Sequence, residues 1–250
     1  MKNSKNLLSL LFLTLSTLVL TSCLHIVEEV TLRNDNTGNY KMTIDMSEIK
    51  SMMDALKDVG GDSTATDGST DETTTEEPAE ENSMADMGEE LSGVSKSLRG
   101  VAGISNIQEM NDTANYKFGY SFDFASTEAL NKAMKVINKE KYDSKVDEVF
   151  KFNGKSFERL GAGDLGEEIK KALSENEDAE AEANMDMVKT FFADMTYKQV
   201  YHFPDRKVKK SSNTMSEITD DGHTLTIALK PFDEEQQKKK LGIATSVKLK

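Results

Sequence analysis

Residues 27–33 (VEEVTLR) and 40–46 (YKMTIDM) alternate apolar and polar side chains, with NDNTGN between them. A period of two places successive side chains on opposite faces of a strand, and a Gly/Asn/Asp cluster between two such runs predicts a hairpin. A second hairpin is predicted from 103–110 and 115–124, joined at Asn111-Asp112-Thr113. Its second strand carries Tyr116, Phe118, Tyr120, Phe122 and Phe124 on one face, the pattern of a core-facing strand. The period then changes. Ser126 is placed to cap a helix whose apolar positions are Ala129, Leu130, Ala133, Met134 and Ile137.

A third hairpin is predicted at Val146–Phe152 and Lys155–Leu160, turned by Asn153-Gly154, the dipeptide that best suits a tight primed turn. Helices near 164–174 and 183–193 follow. The last unit holds strands near 195–203, 213–219 and 223–229, with Asp221-Gly222 turning the last pair. A helix near 233–241 and a strand at 243–249 close the chain. The fold class expected is α+β: repeated ββα units forming a mainly antiparallel sheet, with helices packed on one face. Residues 59–83 interrupt this order. From Asp58 through Glu90 there are 12 acids and no Lys, Arg or aromatic residue. Such a stretch lacks the apolar surface to offset its ordering entropy, so a disordered acidic insertion is expected.

The N-terminus departs from all of these patterns. Lys2 and Lys5 precede an apolar run from Leu7 to Leu20 of about 14 residues, the length of a signal h-region and short of the roughly 20 needed to span a bilayer. The run ends in Leu20-Thr21-Ser22-Cys23, and Cys23 is the single cysteine of the chain. The segment resembles the type II signal peptide of bacterial lipoproteins: an aliphatic residue, two small residues, then Cys. That resemblance implies cleavage between Ser22 and Cys23, a thioether-linked diacylglycerol on Cys23 and a further acyl chain such as palmitate on the new amine. Several acyl chains hold a protein at a membrane where one does so only marginally. Residues 1–22 are thus read as signal peptide and 23–250 as one α+β envelope domain. Leu24 stands where Asp would favour inner-membrane retention, so the expectation leans toward the outer membrane, with the leaflet, periplasmic or surface-facing, left open.

Charge and composition narrow the functional classes. Removing residues 1–22 takes away two lysines and no acid, moving the net charge from −13 to −15. That argues against a nonspecific nucleic-acid partner, which needs a basic surface. Residues 198–250 nevertheless carry 11 Lys+Arg against 7 Asp+Glu. Arg206, Lys207, Lys209 and Lys210 form one cluster, and Lys238, Lys239 and Lys240 another. With Cys23 acylated there is no cysteine nucleophile or thiolate ligand. His25, His202 and His223 show no HxxxH or HExxH spacing, and no GxSxG, P-loop or GxGxxG occurs. Gly161-Ala162-Gly163-Asp164 reads as a turn with an Asp N-cap. Met42, Met46, Met52, Met53, Met84 and Met87 read as core or as an adaptable apolar surface. No catalytic residue, metal site or cofactor is expected.

The start of the mature chain is similar to LppM-type envelope lipoproteins, in which the acylated Cys leads into a strand, a D/N-x-x-G turn and a second strand. Here these are Cys23, VEEVTLR, Asn34–Gly38 and YKMTIDMS. The resemblance implies an α+β envelope domain suited to lipid or glycolipid contacts, and of site residues it carries over Cys23 alone. The function expected is a non-enzymatic, lipid-anchored binding protein carrying an apolar ligand. The alternative is a structural scaffold that docks other envelope proteins. A carrier needs an apolar cavity between the aromatic strand and the helices; a scaffold needs a filled core and an exposed patch or edge.

Overall fold

The computed structural model describes residues 24–51, 93–137, 148–161, 194–233, 235–236 and 242–250. The chain is α+β and mostly sheet. Its strands are β1 (His25–Leu32), β2 (Gly38–Asp45), β3 (Ile104–Asp112), β4 (Lys117–Phe124), β5 (Phe150–Phe152), β6 (Ser156–Arg159), β7 (Thr196–His202), β8 (Val208–Ser211), β9 (Ser216–Ile218), β10 (Thr224–Leu229) and β11 (Thr245–Leu249). The helix Thr127–Ile137, here α1, follows β4. Residues 47–51 and 93–98 are also helical.

The predicted hairpins form, most of them for the local reason read from the turn. The second is displaced, since Asn111 and Asp112 belong to β3 and the chain turns at 113–116, with Tyr116 at φ 53° and the Asn115 amide donating to Asp112 Oδ1 at 3.1 Å. Asn36 takes a positive φ of 68° while Asp35 Oδ1 accepts from the Thr37 amide at 3.0 Å, closing the β1–β2 turn. Gly38 follows, and no other residue fits there, because a Cβ would collide with the Thr31 carbonyl and the Phe124 ring. Asn153 Oδ1 accepts from the amides of Lys155 and Ser156, and Gly154 sits at φ 77°. Ser126 Oγ accepts from the Ala129 amide at 3.1 Å, capping α1 as expected.

The strands do not form one sheet, as the repeated pattern suggests, but two. A seven-stranded sheet runs β3-β4-β2-β1-β7-β10-β9, and a four-stranded sheet runs β5-β6-β11-β8. Among the described residues all pairs are antiparallel except β1 with β7, which joins residues about 170 apart in sequence. The unit β3–β4–α1 is ββα as predicted, but the third hairpin, β5–β6, leaves the first sheet and pairs instead with β11. The strand β8 (Val208–Ser211) has no counterpart among the expected strands: it lies within the lysine cluster, and Val208 is its one buried residue. The segment 59–83 and the helices expected at 164–174 and 183–193 lie outside the described residues, as does most of 233–241.

Register explains the core. The inner face of the seven-stranded sheet is crossed by rows: Phe118, Ile44, Ile26, Tyr197 and Leu229; then Tyr120, Met42, Glu28, Gln199 and Ile227; then Phe122, Tyr40, Val30, Tyr201 and Leu225. The aromatic residues of β4 from Phe118 to Phe124 are all buried, and Tyr40 stacks on Phe122 with ring centroids 5.2 Å apart. Among the described residues two elements cover this face. Leu130, Ala133 and Met134 of α1 join the cluster that holds Phe122 and Phe124. The four-stranded sheet covers the β1–β7 side, where Phe157 packs on Tyr201 at 4.8 Å and on Phe203 at 5.6 Å. Each such large apolar side chain contributes about 1.5–3 kcal/mol on burial.

Candidate functional site

The middle row of that apolar face holds a charge. Glu28 is 2 % exposed and Arg159 of β6, reaching across from the other sheet, is 5 % exposed. They pair through two bonds, Arg159 Nε to Glu28 Oε1 at 3.0 Å and Nη2 to Oε2 at 2.9 Å. Tyr197 donates its hydroxyl to Glu28 Oε2 at 2.6 Å, and Arg159 Nη1 donates to the Leu160 carbonyl at 3.2 Å. With its amide oriented to suit both neighbours, Gln199 accepts from Arg159 Nε at 3.1 Å and donates to the Ile243 carbonyl at 3.3 Å. The guanidinium also lies 5.7 Å from the centre of the Phe150 ring.

The electrostatics follow from burial and from this geometry. Burial pushes the Glu28 carboxyl up, but the Arg159 charge and its hydrogen bonds, with the Tyr197 and Tyr201 hydroxyls, outweigh that and hold it below the ordinary value of 4.5. Burial, then the Glu28 charge, raises Tyr197, Tyr201 and Tyr120 above their ordinary range; at Tyr40 the neighbouring Tyr120 adds to burial ahead of Glu28. The carboxylate is thus ionised, the guanidinium cationic and the tyrosines neutral. That state suits a fixed clamp: a planar fork binding a carboxylate bidentately, with the remaining lone pairs satisfied. Its effect is to tie the two sheets together at one point. Sequence reasoning missed it because VEEVTLR offers Glu28 as one acid among 44.

A second feature lies at the end of the sheet where β1 begins. Leu24 is buried, 8 % exposed, in a small cluster with Met46, Phe118 and Met195, flanked by Ile26, Ile44, Ile49, Tyr116 and Phe232. The Leu24 carbonyl accepts from the Thr196 amide at 3.0 Å, and His25 Nδ1 lies 2.7 Å from Thr196 Oγ1. Cys23 and Ser22 themselves lie outside the described residues, yet Cys23 is covalently one peptide from a side chain fixed in the core.

The other residues singled out in the sequence are scattered. His202 Nδ1 lies 3.0 Å from Thr224 Oγ1, and His223 Nδ1 lies 2.9 Å from the Phe203 carbonyl. Their side chains are held by a hydroxyl on β10 and by a backbone oxygen just past the end of β7, and Asp221 meets His223 through the backbone amide. Among the described residues no group of three His, Cys, Asp or Glu is placed to hold a metal. Met42 lies in the inner row beside Glu28 and Met46 in the Leu24 cluster, while Met52, Met53, Met84 and Met87 lie outside the described residues. Among the described residues no helix is long and apolar enough to cross a membrane.

No family model matches the chain, and no curated protein matches it. Among solved structures the chain is similar to the folded domain of the Mycobacterium tuberculosis protein LppM, determined by NMR, with TM-score 0.35 and 10 % identity over 90 % of this chain and 88 % of that one. A likeness of that size transfers neither activity nor ligand.

Proposed function

We propose that this chain is a lipid-anchored envelope protein whose α+β body sits directly on the anchoring membrane and acts as a non-enzymatic interaction module. The observation that carries the reading is the burial of Leu24 one residue after the lipobox cysteine. An acyl anchor on Cys23 would have no linker behind it. The β1-start end of the seven-stranded sheet would therefore lie against the bilayer, and the opposite end would project away from it. The body would present its surfaces in a fixed orientation, which suits docking better than capture at the end of a flexible tether.

The interaction reading is preferred to the apolar carrier because the aromatic face of β4 is occupied. Tyr40, Tyr120 and Phe122 stack on one another, and α1 packs over Phe122 and Phe124. The test of the anchor is labelling with an alkyne palmitate in the native host. Wild type is expected to take up label and sediment with membranes; Cys23→Ser is expected to lose both. Label on the Cys23→Ser protein would overturn the reading. Native mass spectrometry of the Cys23→Ser protein separates the two roles: a small-molecule adduct lost on denaturation would reinstate the carrier.

A further inference from the structure

We infer that the outer face of the four-stranded sheet, at the end far from the anchor, is a docking site for a polyanion bearing closely spaced phosphate groups. The orientation of this site relative to the membrane rests on the anchor reading above; the site itself does not.

Its position follows from register. β1 and β7 run in parallel away from the Leu24 cluster, and the Asn34 amide of the β1–β2 turn donates to Asp205 Oδ2 in the β7–β8 connection at 2.9 Å. β6 lies over this half of the sheet, with Arg159 at Glu28 and Phe157 at Tyr201 and Phe203. Leu249 at the end of β11 donates its amide to the Lys155 carbonyl at 2.8 Å, and Lys207 and Lys250 exchange backbone bonds. Lys155, Lys209, Lys210 and Lys248 therefore gather roughly 20 Å along the strand direction from His25, at about 3.3 Å per residue.

Two features set this cluster apart from an ordinary solvated surface. Lys210 stands directly opposite Lys248, a cross-strand like-charge pair that costs stability. The ladder then slips: Val247 pairs with Ser211, Lys248 with Lys210, and Leu249 with Val208, so Lys209 is the extra residue of a bulge. Val208, Val247 and Leu249 are buried, while Lys209, Lys210 and Lys248 are exposed. The bulge thus turns an added lysine onto the face that already holds two. None of Lys155, Lys209, Lys210 and Lys248 makes an ion pair with a described carboxylate, although Lys41, Lys117, Lys132, Lys151 and Lys230 all do. Glu158 lies two register positions from Lys248 on the same outer face, opposite Ser246 and Lys151, and its Oε1 accepts from Ser246 Oγ at 3.4 Å and forms no ion pair with these lysines. Lys207 is set beside Asp221 and is not counted.

The chemistry of the occupant follows from what surrounds the charge. Protein interfaces are depleted of lysine and centre on aromatic or aliphatic anchors. Here the cross-strand neighbour of Lys248 on β6 is Ser156, and among the described residues the exposed large apolar ones, Met110 and Ile218, lie on strands of the other sheet. Several compact, mobile ammonium groups on a flat face suit successive phosphates. The anchoring membrane would lie at the opposite end of the body, so its own headgroups are disfavoured. The net charge of −15 on the mature chain repels a polyanion at long range, but at physiological salt screening acts within about 8 Å and the local patch dominates.

The test is titration of the mature chain carrying Cys23→Ser with fluorescein-labelled long-chain linear polyphosphate, at several salt concentrations. Binding is expected to weaken steeply with salt, in proportion to the phosphates neutralised. The triple variant Lys209→Gln/Lys210→Gln/Lys248→Gln is expected to lose about tenfold or more in affinity at low salt and to show a shallower salt slope. The control Lys41→Gln/Lys132→Gln, on other surfaces, is expected to bind as wild type. Circular dichroism of the triple variant should show an unchanged fold, and its Tm should not fall, because a like-charge pair has been removed. Equal binding by wild type and triple variant would overturn the site, as would absence of binding at low salt. Binding to phosphatidylglycerol vesicles without binding to polyphosphate would overturn the polymer and point to a lipid surface. These readouts stand whether or not the palmitate labelling succeeds.

Discussion

Removing Arg159 is expected to do more than lower stability; it should reverse the direction in which pH acts on it. In the wild type the folded-state carboxyl of Glu28 is held below its ordinary value of 4.5. Its contribution is therefore complete above that value and is lost as pH falls through the lowered one. In Arg159→Met only burial and the tyrosine hydroxyls remain, and burial is the larger influence, so the carboxyl rises above 4.5. The folded state then binds a proton more readily than the unfolded state, and stability falls as pH rises past 4.5. Urea melts should show a loss of about 3–5 kcal/mol near neutral pH, shrinking as pH is lowered toward about 4. A loss independent of pH would mean that Glu28 is not the group left behind. The Tyr197→Phe variant is expected to cost about 1.5–3 kcal/mol in the same assay, since it removes a hydrogen bond to an ionised acceptor. Little of this was legible beforehand. The strand containing Glu28 was evident from alternation, but two adjacent acids, Glu28 and Glu29, sit on opposite faces, and only the packed second sheet decides which one needs a partner.

Among the elements, α1 is the one whose sequence was read most fully, and its decisive residue was still missed. The spacing of Ala129, Leu130, Ala133 and Met134 announced the buried face, and Ser126 the cap. Asn131, between them, carries no signal in that periodicity. It is the tie between helix and second sheet: its Nδ2 donates to the Phe150 carbonyl at 2.8 Å, and its Oδ1 accepts from the Val149 and Phe150 amides at 2.9 Å each. One amide thus satisfies three backbone groups beside β5, the outer strand of its sheet. Asn131→Ala orphans all three, at about 1–3 kcal/mol for each group that water cannot reach. The expected outcome is early loss of hydrogen-exchange protection in β5 and β6, ahead of β1, β2 and β4. Uniform loss across both sheets would show that the tie is not local. β8 escaped detection for a related reason. Its backbone is paired by β11, a partner about 40 residues away, and neither its short length nor its lysines carry an intrinsic strand signal.

For the molecule as a whole, orientation is the property that matters. With Leu24 in the core, the proposed anchor and the lysine face lie at opposite ends of the two-sheet body. Inserting a flexible Gly/Ser linker of about ten residues between Cys23 and Leu24 should leave acylation intact and relax the end-to-end spread to roughly 16–19 Å of free tether. Protease protection of the β1-start end by the membrane is expected in the wild type and is expected to vanish in the linker variant. Equal susceptibility in both would mean that the body does not rest on the bilayer.

The sequence by itself determined most of what depends on near neighbours. Hairpin turns were legible at Asn36–Gly38, Asn153–Gly154 and Asp221–Gly222, because each needs a positive φ or a side-chain acceptor within three residues. The amphipathic face of α1 and the aromatic ladder of β4 were legible because periodicity is local. Tertiary structure alone decided the split into two sheets, the parallel junction of β1 with β7, the pairing of Glu28 with Arg159 and the alignment of Lys210 with Lys248. Each joins residues tens to more than a hundred positions apart. Which distant strand meets which is set by burying the whole apolar face at once, a condition that no short window of the chain contains.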